Sequence, residues 1–262
     1  AAFGRMLYAL TYNIAYLPHR SWRSSLLAYI ARIPVRIGFS DAPGAFLYSK
    51  RIPRTGSREI DRLAALAGAE SVSLRPTMEL TEGDRSAALS RLRAHGIAPE
   101  EGYVVIAPGA TWSTKIWPYY RELVAVLWAR GIRTVIVGDE GAGVQAVTDG
   151  AVDLCGTTSV RELAATIERA RLAVTNDSGP LHLANAVATP VLAIFGPTAP
   201  HLGFAPLGEH DRVAEVQDLP CRPCSDHGPQ RCPLGHHRCM VDLEPRRVAA
   251  TALEMLRTTS DR

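Results

Sequence analysis

One stretch, LAVTNDSGPLHLANAVATPVLAIFGPT at residues 172–198, restricts what this chain can fold into more than any other. A short apolar run (172–175) enters a polar turn of Asn176, Asp177, Ser178 and Gly179. Pro180 follows where a helix would open, a position at which its missing N–H costs nothing. Ala184 and Ala186 keep that helix thin enough to pack close to a sheet. Pro190 ends it, and a second apolar run (191–195) leads into the tight loop Gly196-Pro197-Thr198. The pattern is strand, loop, helix, strand, and such a crossover joins parallel strands. Gly179 or Ser178 would cap the helix, its first-turn amides would point out of the strand end, and His182 falls in the same turn. Free amides, a hydroxyl and an imidazole at one helix start make an anion site. The plainer alternative is an ordinary crossover whose polar turn is only solvated.

The same alternation runs back to Gly102, with strands expected at 103–107, 133–137 and 152–154 and helices at 118–130, 144–149 and 160–170. Alternating strands and helices imply a parallel sheet covered on both faces. Ligands bind such sheets at the strand C-termini. Every polar motif here falls at such an end: 108–115, 138–140, 176–182 and 196–200. No GxGxxG follows a strand, so a dinucleotide fingerprint is absent.

Before Gly102 the pattern is less regular. A β-prone apolar run (7–17) ends at Pro18, a helix is expected at 24–31, a strand at 35–39, a loop at 40–57, a helix at 59–67 and a short strand at 71–74. Thr81 is an N-cap candidate for a helix to His95 that Gly96 ends. Residues 99–102 look like a linker, which divides the chain into domains 1–100 and 101–262. Arginines at 20, 23, 32, 36, 51 and 54 make the first domain basic. They form either a solvated face or a surface for a phosphorylated or membrane-bound acceptor.

Composition narrows the class. A chain of 262 residues that is 47% hydrophobic and 21% charged is a soluble globular protein of one large or two medium domains. No apolar run approaches the roughly 20 residues that span a bilayer. The opening AAFGRMLYAL has no basic region followed by a long apolar core, so no export signal is expected and a cytoplasmic location is. A net charge of +3 permits acidic partners without requiring nucleic acid.

Four motifs carry chemistry. In PGATWSTKIWP (108–118) a Gly-Ala turn leaves a strand, hydroxyls at Thr111, Ser113 and Thr114 follow, and Lys115 precedes a helix. Lysine offers a mobile positive charge for phosphate and the hydroxyls offer donors; a solvated loop lysine is the alternative. The acids of Gly138-Asp139-Glu140 stand where a ribose could be held, or are solvated loop acids. Asp177, Ser178 and His182 invite a hydrolase reading. The serine and histidine are too close in sequence for a triad, and no GxSxG elbow is present. Finally, Cys221 and Cys224, then Cys232 and Cys239, resemble a structural zinc-ligand set, although the second pair is spaced too widely for a second CxxC. Oxidised pairs and plain buried thiols remain open.

Together PGATWSTKIWP, TNDSGPLHLANAVATPVLAIFGPT and CRPCSDHGPQRCPLGHHRC resemble glycosyltransferase family 9, the bacterial lipopolysaccharide heptosyltransferases; YLPHRSWRSSLLAYIARIPVRIGF also looks like that family's N-terminal domain. The cysteine segment points to the heptosyltransferase II type. The resemblance implies an α/β, GT-B-like fold: two Rossmann-like domains facing a cleft, with the helix at 245–256 returning to the first. The first domain would be incomplete, its acceptor side represented by residues 1–100, with the nucleotide-sugar domain at 101–262. The implied activity is inverting, metal-independent transfer of L-glycero-D-manno-heptose from ADP-heptose to the lipopolysaccharide inner core, at the inner face of the inner membrane. Carried over by position, Thr111 and Lys115 would contact the donor phosphates, Glu140 the ribose, and Val160 the adenine. Asp177, Ser178, Gly179 and His182 would hold the diphosphate and heptose. No catalytic base is assigned, because residues 1–13 do not match the family's start; no motif supports Asp41 or Asp61. The chain is thus expected to bind ADP without efficient transfer. The alternative is a non-catalytic nucleotide-sugar-binding module.

Overall fold

The computed structural model describes residues 2–69, 75–142, 146 and 149–258. The chain divides into two compact units, Ala1–Leu74 and Arg75–Arg262.

In the first unit, α1 (Ala2–Ala9), β1 (Ile14–Leu17), α2 (Trp22–Ile30), β2 (Val35–Phe39), β3 (Lys50–Ile52) and α3 (Glu59–Leu66) follow in order. The strands form a parallel sheet in the order β1-β2-β3. Its core gathers Leu17, Ala28, Ile33 and Tyr48 on one side and Ile37, Phe39 and Leu66 on the other. Two expectations fail here. The apolar run at 7–17 is not one strand: α1 ends at Ala9, Thr11 turns the chain with φ of 49°, and only Ile14–Leu17 pairs. Phe3 and Leu7 follow helical spacing, and Gly4 lets α1 approach α2, where a Cβ would stand 3.0 Å from Ile30. The loop expected at 40–57 contains β3, whose charged, largely exposed residues form a strand by pairing with β2. The strand expected at 71–74 lies outside the described residues.

The second unit contains α4 (Glu82–Ala94), β4 (Val104–Ala107), α5 (Tyr120–Trp128), β5 (Thr134–Ile136), β6 (Ala151–Asp153), α6 (Val160–Glu168), β7 (Leu172–Asn176), α7 (Gly179–Ala186), β8 (Val191–Phe195), β9 (Arg212–Glu215), α8 (Arg238–Val241) and α9 (Pro245–Thr258). Its six strands are all parallel, in the order β6-β5-β4-β7-β8-β9. The chain winds outward from β4 to one edge, then returns past β4 to build the other side. The order therefore reverses between β4 and β7, and the crevice at that switch point is where such sheets bind ligands. Strand alternation separates two cores. Val104 and Ile106 of β4 face Leu123 and Leu127 of α5 and Val248 and Ala252 of α9. Val105 and Ala107 face the other side, with Leu92, Leu181 and Phe195.

The boundary falls at residue 74 and not near 100, because α4 belongs to the second unit. Arg85 makes two 2.8 Å bonds to Glu168 of α6, and Arg161 bonds Asp84 at 2.9 Å. Leu92 is fully buried in the same core as Tyr103. The Pro-Glu-Glu-Gly stretch at 99–102 is a tight turn before β4, with Gly102 backed against Arg171. The last helix, α9, buries Val248, Ala249, Ala252, Met255 and Leu256 in the second unit's own core. The helix expected at 144–149 falls largely outside the described residues.

Candidate functional site

The switch point sets the loop after β4 beside the loop after β7, and Asn176 ties them together. This last residue of β7 is fully buried. Its Nδ2 donates to the Pro108 carbonyl at 2.7 Å and to that of Gly109 at 3.4 Å. Its Oδ1 accepts from the Tyr120 hydroxyl at 2.9 Å and from the Trp117 backbone N–H at 3.3 Å. One amide thus fixes the strand-end loop and the start of α5.

Beside it, Lys115 and Asp177 form a buried ion pair. Lys115 Nζ donates to Asp177 Oδ2 at 2.7 Å and to the Asp177 carbonyl at 3.1 Å; the side chains are only 12% and 7% exposed. The Thr198 hydroxyl donates to the same Oδ2 at 2.7 Å. Lys115 is therefore held, not mobile as its loop position suggests. An ammonium carries three donors, and these bonds occupy two.

Ser178 precedes α7 as its N-cap residue but makes no side-chain cap bond. Its hydroxyl instead lies 3.4 Å from the Asn176 carbonyl. Thr111, Lys115, Asp177, Ser178, Gly179 and His182 line one cavity of about 260 Å³, so six residues singled out in the sequence converge. The His182 ring meets Phe204 edge-on at 6.0 Å. Burial lowers its pKa below the ordinary imidazole value; the Lys115 charge acts in the same direction and Asp177 opposes it. His182 is thus a neutral hydrogen-bonding group at neutral pH. A neighbouring cavity of about 430 Å³ contains Asp139 and Glu140 and shares Ala110 with the first. Val160 does not join either: it opens α6, is 63% exposed and lines neither cavity.

Two hydroxyls of the Lys115 loop are spent elsewhere. Ser113 Oγ donates to the Gln230 carbonyl and Thr114 Oγ1 to that of Pro229. His237 Nε2 sits 2.7 Å from the Thr114 carbonyl, and Gln230 Nε2 donates to that of Thr111 at 3.2 Å. The cysteine-bearing segment is therefore strapped across the Lys115 loop. Arg222 anchors it, donating to the Val216 carbonyl at 2.6 Å, the Thr198 carbonyl at 2.9 Å and Glu215 at 2.8 Å. This strap adds Asp226 and His227 to the first cavity, neither of which the sequence places in the donor site.

The geometry does not carry the zinc reading of Cys221, Cys224, Cys232 and Cys239. All four are free thiols, and among the described residues no three His, Cys, Asp or Glu side chains converge as ligands. Cys239 lies in the apolar core with Met240, where burial pushes its thiol up to about 11. Burial acts the same way on Cys232, but backbone N–H groups of His237, Leu234, Gly235 and His236 outweigh it and lower the pKa.

In the first unit, Asp41 faces Arg20 at 3.7 Å. Asp61 is bonded by Arg58 at 2.6 and 2.7 Å, which lowers its pKa and makes it a poor proton acceptor.

The doubly wound parallel sheet, with an ion pair and a helix start at its switch point, defines an α/β protein. A family model described as glycosyltransferase family 9 (heptosyltransferase) matches residues 1–233, and the chain belongs to that family. It is 36% identical over 107 residues to lipooligosaccharide heptosyltransferase 2 of Campylobacter jejuni, a match covering 41% of this chain and only 32% of that relative's length. It is similar to the structure of Escherichia coli ADP-heptose lps heptosyltransferase II, with a TM-score of 0.77 and 25% identity over 98% of this chain and 80% of the other. A second Escherichia coli heptosyltransferase, solved with ADP-2-deoxy-2-fluoro heptose, matches with a TM-score of 0.62 and 20% identity over 97% and 75%. The fold is accordingly of the GT-B-like heptosyltransferase type.

Proposed function

We propose that the chain carries, at the β4–β7 switch point, the ADP-heptose site of an enzyme that transfers L-glycero-D-manno-heptose, with inversion and without a catalytic metal, to the lipopolysaccharide inner core. The observation that carries this reading is the convergence of Thr111, Lys115, Asp177, Ser178, Gly179 and His182 on one cavity, in a chain of this family. Departing ADP gains negative charge. Lys115, oriented by Asp177, has a donor left for that phosphate, and the start of α7 adds its partial positive charge. Fixed charges of this kind do the work a metal does elsewhere. Glu140, in the adjoining cavity, would accept from the ribose hydroxyls. The acceptor would be the lipid-linked core at the cytoplasmic face of the inner membrane; among the described residues no helix is long and apolar enough to cross it. The basic first unit suits that phosphorylated acceptor, with no role for nucleic acid.

Titration calorimetry tests the donor half. Lys115→Ala should weaken ADP binding by about 1.5–3 kcal/mol, the size of a charge-assisted hydrogen bond. AMP should lose less and adenosine nothing. Equal losses for ADP and adenosine would overturn the assignment.

A further inference from the structure

We infer that Asp226 and His227, carried by the cysteine-bearing strap, form the sugar-selecting wall of the donor cavity and accept hydrogen bonds from hydroxyls of the transferred sugar ring. The inference rests on the donor-site reading above and deepens it.

Both residues line the cavity that holds Lys115, Ser178 and His182. Their placement is built, not accidental. Gly228, next in the chain, has φ of +80° and lies against Lys115: a Cβ there would come within 3.3 Å of the lysine's Cε and 3.2 Å of Pro197. The following carbonyls, of Pro229 and Gln230, accept the Thr114 and Ser113 hydroxyls. Upstream, the Cys224 N–H donates to the Pro197 carbonyl at 2.7 Å. The dipeptide is therefore pinned on both sides to the loops that shape the cavity.

Charge then divides the cavity. Lys115 and Asp177 are already paired, so Asp226 adds a second carboxylate to the wall. A carboxylate repels a diphosphate and only accepts hydrogen bonds. It suits a neutral ligand rich in hydroxyl donors. On this inference the α7 start and Lys115 take the phosphates, and Asp226 and His227 take hydroxyls of the sugar. A leaving group and a sugar joined through one phosphate ester span those two ends.

The test is calorimetry on the whole chain with ADP and with ADP-L-glycero-D-manno-heptose. Asp226→Ala should weaken ADP-heptose binding about tenfold or more while ADP stays within about twofold, because only the sugar loses a bond to a charged group. His227→Ala should act in the same direction more weakly, and Asp226→Asn, which keeps a carbonyl acceptor, should recover part of the loss. ADP affinity serves as the folding control. Parallel losses for both ligands, or no change in either, would overturn the inference. Failure of the unaltered chain to bind ADP would instead remove the donor-site reading, and this inference with it.

Discussion

At the residue scale the site depends on Asn176 as much as on any charged group. Its side chain completes the hydrogen bonding of two loop carbonyls, a backbone N–H and a buried phenol. Burial alone holds the Tyr120 hydroxyl far above its ordinary pKa, so this phenol keeps the proton that it donates to Asn176. Asn176→Ala would leave the Pro108 carbonyl and the Tyr120 hydroxyl without partners. It should lower stability by about 2–3 kcal/mol, read as a urea midpoint shift, and loosen ADP binding as the 108–115 loop loses its tie. A variant with unchanged midpoint and unchanged ADP affinity would show that the loop is held by other means. Much of the site was legible at this scale, since Gly, Pro, Asp and Ser cluster where strands end and helices begin. Lys115, Ser178 and His182 announce themselves in that way. Asp226 and His227 do not: they reach the cavity through a strap docked by Arg222, and no local pattern encodes that docking. The same docking takes Ser113 and Thr114 out of the donor set.

At the scale of elements, α4 shows how strongly a short cap can specify a helix. Thr81 accepts from the Asp84 backbone N–H, and Asp84 accepts from that of Thr81. Thr81→Ala should cost about 1 kcal/mol in equilibrium unfolding. Asp84 is also bonded by Arg161 of α6, and that bond first, then those from Thr81, lower its pKa from 3.8 to about 2. The unfolded chain therefore takes up this proton before the folded one does. The stabilisation is complete above the unfolded value and is lost as pH falls from about 4 toward 2. Asp84→Asn should flatten that part of the stability profile; an unchanged slope would show that the contacts do not form in solution. Capped helices and buried strands such as β7 and β8 were readable from sequence because caps and unbroken apolar runs are local. The edge strands β3 and β9 were not, since Lys50, Arg51 and Arg212 are strand residues only by virtue of the neighbour they pair with. In α1, β-prone residues at helical spacing misled a reading based on propensity.

At the scale of the whole molecule, each apolar core lies within one unit: those containing Leu92, Leu123 and Ala88 belong to the second, those around Leu17 and Phe39 to the first. Every cavity-lining donor residue also lies in the second. Residues 75–262 expressed alone should melt cooperatively and bind ADP within about twofold of the whole chain. A fragment that stays unfolded would show that the first unit contributes to this core. The strand order has a further, kinetic consequence. β4 and β5 pair across a single crossover through α5, whereas Lys115 and Asp177 are 62 residues apart and meet only when β7 closes on β4. Closing the longer loop costs more chain entropy and comes later. A chain in which β7 has not yet closed on β4 therefore lacks the proposed nucleotide site. The capacity to bind arrives in a single step, when the centre of the sheet is completed.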